Sequence, residues 1–298
     1  MTILVAGGSG FIGSHIVKKF LNSDIPLLIA DIREADFPHI PQKKIDINDV
    51  EALTRLMTNN NVTAVIHLVG LPNISDCEKD PMMSFKINAL STQSIVEAMR
   101  KSDVEKILFA SSAAVYGYKI NGKVSEETEP RPDTIYGFHK LFSEQIIKSY
   151  AERYGIKFVI LRLFNVFGGD PTLRTDIISL FIKQALNRKP LIVFGPNKYR
   201  DFIYIEDVAQ AFLSSYQRNV ENKIFNIGSG NKITLEELVS IFKEINPQIQ
   251  VITKESPDDG TGIYADITLA KNLLGFNPRN PREAIRDYIK RFLSPSSN

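Results

Sequence analysis

The first thirteen residues constrain what this chain can fold into more than any other stretch. Thr2-Ile3-Leu4-Val5-Ala6 is a largely apolar run that stops at a glycine, as a strand buried on both faces of a parallel sheet does. Gly7-Gly8-Ser9-Gly10-Phe11-Ile12-Gly13 follows, and apolar residues at 12, 16, 17, 20 and 21 then mark the inner face of a helix over Phe11–Leu21. Two glycine registers overlap in the turn: Gly8, Gly10 and Gly13 fit G-x-G-x-x-G, while Gly7, Gly10 and Gly13 fit G-x-x-G-x-x-G. Either register meets the same needs, a tight turn, close approach of backbone to phosphate, and near contact of helix and strand. The helix start adds free N–H groups and a partial positive charge. A glycine motif in isolation is often an ordinary turn. A buried strand before it and an amphipathic helix after it supply the context expected for the pyrophosphate of a dinucleotide.

The same alternation continues. Leu27–Ala30 reads as a second buried strand ending at Asp31, followed by a helix near Asp49–Thr58 and a strand over Thr63–Leu68. A helix around Pro81–Lys101 feeds the strand Lys106–Ala110, and a helix around Gly137–Tyr154 feeds Phe158–Leu161. This predicts an α/β fold with a doubly wound parallel sheet. After about residue 165 the elements shorten, beginning with the break Gly168-Gly169-Asp170-Pro171. Helices are expected near Thr175–Asn187, Glu206–Tyr216 and Pro281–Phe292, and strands at Phe202–Tyr204 and Ile224–Ile227; Thr234 and Glu237 form a capping box opening another helix. We expect residues 1–165 to form the cofactor domain, with segments near 200–228 returning to it. Most of 166–298 would form a smaller, discontinuous mixed α/β lobe for substrate.

Composition narrows the function classes. A net charge of +2 without a basic block gives no case for nucleic acid or a membrane surface. No apolar run approaches the ~20 residues of a membrane span, and the N-terminus does not read as a signal peptide. One cysteine, Cys77, excludes an internal disulfide and a cysteine zinc site, and four histidines without H-E-x-x-H spacing argue against a metal. The expectation is a cytoplasmic protein of enzyme size.

Three further features carry chemistry. Asp31 lies 18 residues beyond Gly13 at a strand end, where a carboxylate can bond both adenosine ribose hydroxyls and repel a 2′-phosphate. NAD is thereby favoured over NADP, with Arg33 nearby as the contrary sign and a local capping role as the plainer reading. Tyr136 and Lys140 are spaced i,i+4 and project from one helix face. A phenol has an ordinary pKa near ~10, and an adjacent ammonium with a positive nicotinamide ring would stabilise its phenolate. Ser111-Ser112 ends a strand 24 residues before Tyr136 and offers a hydroxyl for the same substrate oxygen.

Taken in this order, the motifs resemble the extended short-chain dehydrogenase/reductase family, and within it the nucleotide-sugar 4-epimerases of UDP-glucose 4-epimerase type. The resemblance runs along nearly the whole chain. Besides residues 7–13, it rests on Asp31, Asp46-Ile47, His67-Leu68-Val69-Gly70, Asn88, Ser111-Ser112-Ala113-Ala114-Val115-Tyr116-Gly117, and Tyr136 with Lys140. Leu161-Arg162-Leu163-Phe164-Asn165-Val166-Phe167-Gly168, Arg200-Asp201-Phe202-Ile203-Tyr204 and Phe225-Asn226-Ile227-Gly228 extend it. It implies a Rossmann-type NAD domain in which Gly7, Gly10, Phe11, Ile12 and Gly13 form the phosphate turn. Asp46 and Ile47 would flank the adenine, and Leu68, Val69, Gly70 and Asn88 would line the cleft. Ser112, Tyr136 and Lys140 would be catalytic, Lys140 also bonding the nicotinamide ribose. Asn165 and Arg200 would hold the substrate diphosphate, although an arginine paired with Asp201 or Glu206 is the plainer reading of position 200. A homodimer through the helices around 81–101 and 137–154 is implied as well.

Relatives that eliminate water use an Asp-Glu pair just after the strand-end hydroxyl, and decarboxylating ones generally keep the glutamate. Here those positions are Ala113 and Ala114, which cannot transfer protons. The expected reaction is therefore inversion at C4 of a nucleoside-diphosphate sugar through a 4-keto intermediate. A 4-keto-sugar reductase or other alcohol dehydrogenase on the same scaffold stays open, and more remotely a non-catalytic NAD-binding protein. One departure concerns the substrate. Where the family carries Arg-Pro-Gly-Asp, with an arginine on the diphosphate, this chain has Ser256-Pro257-Asp258-Asp259; Arg174 and Lys198 are candidate replacements.

Overall fold

The computed structural model describes residues 2–218, 220–258 and 260–294. Its centre is a seven-stranded parallel sheet. The strands are β1 (Thr2–Ala6), β2 (Leu27–Asp31), β3 (Gln42–Lys44), β4 (Val62–His67), β5 (Lys106–Ser112), β6 (Lys157–Leu163) and β7 (Lys223–Ile227). Their spatial order is β7-β6-β5-β4-β1-β2-β3, so the chain reverses direction of travel beside β1. That reversal opens a crevice beyond the carboxyl ends of β1 and β4, where an open α/β sheet takes its ligand. Register brings Ala6 level with Ala30 on one side and His67 on the other, so the Gly7 turn, Asp31 and Leu68 converge.

Side chains alternate between two cores. Ile3 and Val5 point toward helices α1 (Phe11–Leu21) and α5 (Ile205–Gln217); Leu4 and Ala6 point toward α2 (Val50–Asn59), α3 (Ser91–Lys101) and α4 (Ile135–Tyr154). Burial on both faces explains why these strands read as unbroken apolar runs. Edge strand β3 has no such signature, because Gln42, Lys43 and Lys44 are all exposed. Lysines there also discourage edge-to-edge pairing.

The expected elements are present with shifted ends. The helix expected around Gly137 begins at Ile135, because Thr134 accepts the Gly137 N–H at 3.1 Å and caps it, which puts Tyr136 in the first turn. The stretch expected as one helix over 81–101 is helical throughout but contains a π-helical segment, Lys86–Leu90, with Asn88 inside it. Such bulges re-aim side chains and often accompany functional sites.

Chain beyond β6 builds short ladders over the sheet's carboxyl edge. Phe202–Tyr204 pairs with Asn165–Phe167, Tyr199–Arg200 with Ile233–Thr234, and Val251–Lys254 with Leu191–Phe194. Segment 205–227 returns to the main body, supplying α5 and β7. Thr234 and Glu237 form the capping box as expected.

Candidate active site

The glycine turn is built to exclude side chains. Gly7 has φ +86°, and a Cβ there would come within 2.9 Å of the Val69 nitrogen. A Cβ at Gly13 would lie 2.2 Å from the Gly7 carbonyl oxygen, so the helix cannot approach the turn with any larger residue. Gly10 is the N-cap of α1, and no side chain caps the free N–H groups that follow. This cradle fits a pyrophosphate, with Phe11 and Ile12 in the first helical turn. Gly8 matters for packing, since its Cβ would strike Ile29.

Asp31 closes β2 beside the turn, buried. Its two oxygens accept the Ser9 N–H at 3.0 Å and the Arg33 N–H at 3.1 Å. The local bonding considered for it is thus real. It fixes the carboxylate at the cleft edge while each oxygen keeps acceptor capacity for ribose hydroxyls. The Asp46 carboxylate accepts from Asn48 at 2.9 Å, and the Ile47 side chain packs into the core beside α2.

Leu68-Val69-Gly70 follows the end of β4 and packs against the glycine turn. The Leu68 N–H donates to Ala6 at 2.9 Å, and Gly7 lies against the Leu68–Val69 peptide. A Cβ on Gly70 would come within 3.1 Å of Asn88 Oδ1 and 3.4 Å of Lys140 Nζ. One continuous path therefore leads from the glycine turn to Lys140. Asn88 is fully buried; it accepts the Leu71 N–H at 2.8 Å and donates to Leu71 O at 3.1 Å.

Ser112, Tyr136 and Lys140 come together where the strand end of β5 meets the start of α4. The Ser112 hydroxyl lies close enough to the Tyr136 phenol to favour its ionisation, and Lys140 Nζ lies 5.9 Å from the tyrosine ring centre. Lys140 is buried, donates to Ala110 O at 2.9 Å and sits 4.8 Å from the Phe109 ring. Burial lowers its pKa to about 8, opposed by the charge of Glu144 one helical turn on. Burial also pushes the Tyr136 phenol upward, against the nearby Ser112 hydroxyl, which favours its ionisation. The ammonium thus leans on a carbonyl rather than on the phenol, and desolvation governs both groups in the protein alone.

The choice between the two serines has a visible cause. Ser111 donates to Glu144 Oε1 at 2.6 Å and is buried within an ion pair; Ser112 lines the cleft. The pair itself has no counterpart in the sequence reading. Arg162 donates to Glu144 at 3.0 and 2.7 Å and to the Tyr116 hydroxyl at 3.0 Å, all buried. Its parts look like an ordinary helix-face acid and a strand arginine, and only the tertiary fold joins them.

Two cavities open beyond this cluster. The smaller, about 60 Å³, is lined by Ser112, Ala113, Ala114, Tyr118, Asn165 and Arg200, among others. The larger, about 380 Å³, has apolar walls including Ile177, Ile192, Phe194 and Phe202, with Asp176, Lys198, Asn165 and Arg200 as its polar lining. Asn165 and Arg200 belong to both and so mark the junction. Arg200 donates to Tyr199 O at 2.8 Å, while Asp201 is occupied by Ser229, Gly230 and Ala265 and Glu206 by His15. The plainer pairing of Arg200 is therefore not formed. Tyr118 and Phe194 escaped the sequence reading because no spacing marks a cavity wall. Asp259, in the departure near the C-terminus, lies outside the described residues.

Comparison with known proteins agrees with this geometry. The NAD dependent epimerase/dehydratase family matches residues 3–228. A provisionally named UDP-glucose 4-epimerase of Methanocaldococcus jannaschii is 37% identical, covering 99% of this chain and 98% of that protein. UDP-glucose 4-epimerase of Thermotoga maritima, solved with UDP-glucose, superposes with a TM-score of 0.91 at 28% identity over 98% of each chain. MoeE5, solved with UDP-glucuronic acid and NAD, gives 0.88 at 30% identity over 97% of this chain and 98% of that one. The chain belongs to the NAD-dependent epimerase/dehydratase family, within the extended short-chain dehydrogenases/reductases.

Proposed function

We propose that this enzyme inverts C4 of a nucleoside-diphosphate hexose, with UDP-glucose and UDP-galactose as the first pair to test. One observation carries the reading: Ser112, whose hydroxyl lies beside the Tyr136 phenol, shares a small cavity with Ala113 and Ala114. The proton-handling groups are those of alcohol oxidation and return; among the described residues that line this cavity, none is a carboxylate that could serve elimination, and the further titratable side chains are Tyr118 and Arg200.

NAD, when bound, accepts the hydride and later gives it back. Tyr136 takes the proton from the sugar O4 and returns it to O4 once the 4-keto sugar has turned, so that C4 receives the hydride on its opposite face. Ser112 bonds O4 as its charge changes. Lys140 keeps a positive charge near the phenolate, and Glu144 supports that charged state. Asn165 and Arg200, at the junction of the cavities, hold the diphosphate; Arg200 suits it through its fork of donors. The sugar then lies in the smaller cavity and the nucleoside in the larger.

Two wider expectations accompany this reading. Met82, Met83, Phe138 and Phe142 expose apolar surface on α4 and the helix before Asn88. Such a face suits pairing with a second copy of the chain. Cys77 is buried and single, in keeping with a reducing cytoplasmic compartment. Among the described residues no helix is long and apolar enough to cross a membrane.

The test is to offer the purified protein UDP-, GDP-, CDP- and dTDP-hexoses, identify products by NMR and follow absorbance of reduced cofactor. C4 epimers without net cofactor consumption are expected. Stoichiometric NAD(P)H consumption would make it a reductase instead.

A further inference from the structure

Building on the diphosphate reading above, we propose that Lys198 is the second cation of that site and that Asp258 holds it as an exchangeable counter-ion. Lys198 stands two residues before Arg200 and lines the same larger cavity, whereas Asp258 pairs with it from the segment that lacks an arginine. The other candidate is committed elsewhere. Arg174 lies 3.4 Å over the Phe11 ring, donates to Asp176 at 3.0 Å and to Val166 O at 3.1 Å, and is not among the cavity walls.

The two partners of the ion pair differ in environment. The Lys198 side chain is 13% exposed and that of Asp258 59%. An ion pair with one largely solvated partner is weak. A diphosphate brings more charge and more acceptor oxygens to the same ammonium, and so displaces the carboxylate. Asp258 also accepts from Ser256 Oγ at 2.6 Å, while its carbonyl receives the Thr261 hydroxyl at 2.6 Å. Release of Lys198 therefore leaves Asp258 with a local partner and no stranded charge. The remaining carboxylate of the cavity, Asp176, is paired with Arg174 and caps the Ile177–Leu186 helix, so it does not compete. Substrate entry becomes an exchange of anions on Lys198, and the diphosphate earns its grip at the expense of a carboxylate already in place.

Calorimetric titration of the NAD-loaded enzyme with UDP and with uridine tests this. Lys198→Gln should weaken UDP binding roughly tenfold, the worth of one charge-assisted contact, and leave uridine unchanged. Asp258→Asn should tighten UDP about threefold, and should have no effect in a Lys198→Gln background. Lys198→Gln binding UDP as the wild type does, or weakening uridine equally, would overturn the proposal while leaving the diphosphate reading intact. Failure of the wild type to bind UDP, GDP, CDP or dTDP would overturn both. Retained NAD and an unchanged melting temperature show that each variant is folded.

Discussion

Arg162 grips Glu144 through two hydrogen bonds of 3.0 and 2.7 Å, with neither side chain open to solvent. The bond ties β6 to the helix that carries Tyr136 and Lys140, and Ser111 from β5 joins it at 2.6 Å. Three elements that must agree in position for catalysis thus share one buried ion pair.

Removing one partner strands a buried charge, which costs about 3–5 kcal/mol. Glu144→Ala should therefore lower stability by that amount in urea melts. The Glu144→Met/Arg162→Met pair should recover much of the loss, since the guanidinium and the carboxylate leave together, although Lys140 then loses the Glu144 charge that favours its ionised form.

Lys140 is buried at the expense of stability. Its folded pKa, about 8, lies below the ordinary 10.5, so the unfolded chain binds more protons between those values. The penalty is full below pH 8 and is relieved as pH rises toward 10.5. In cofactor-free protein at pH 7, Lys140→Met should be more stable than wild type by up to about 3 kcal/mol and devoid of turnover. Melting temperatures measured from pH 7 to 10 should converge.

In the function proposed above, Asp31 should separate the two cofactors. Asp31→Ala removes a charged acceptor for the ribose hydroxyls, so NAD should bind roughly 10- to 100-fold more weakly. NADP should lose far less, because the repulsion of its 2′-phosphate disappears too. Fluorescence titration of both cofactors against wild type and variant reads the ratio directly.

What the sequence disclosed depends on how local each feature is. The Gly7–Gly13 turn and Asp31 are set within one βαβ unit, where spacing alone determines geometry, and both lie where expected. Tyr136 and Lys140 were legible because i,i+4 spacing fixes a shared helix face. The Lys140 tether to Ala110 O was not, because that carbonyl comes from a strand 30 residues away. Glu144 and Arg162 read as ordinary charged residues until the fold buries them together. Strand β3 lacks an apolar alternation since neither of its faces is covered. Lys198 and Arg174 were equal candidates in sequence, and only the cavity lining distinguishes them.

In the function proposed above, Tyr136 handles the proton of a reversible oxidation at C4. The most direct measurement is turnover of UDP-glucose by Tyr136→Phe, with bound NAD and UDP affinity measured on the same sample. NAD and UDP should be held as in the wild type while UDP-galactose formation falls by at least ~100-fold, the usual worth of a positioned acid–base group. Wild-type turnover in that variant would contradict it.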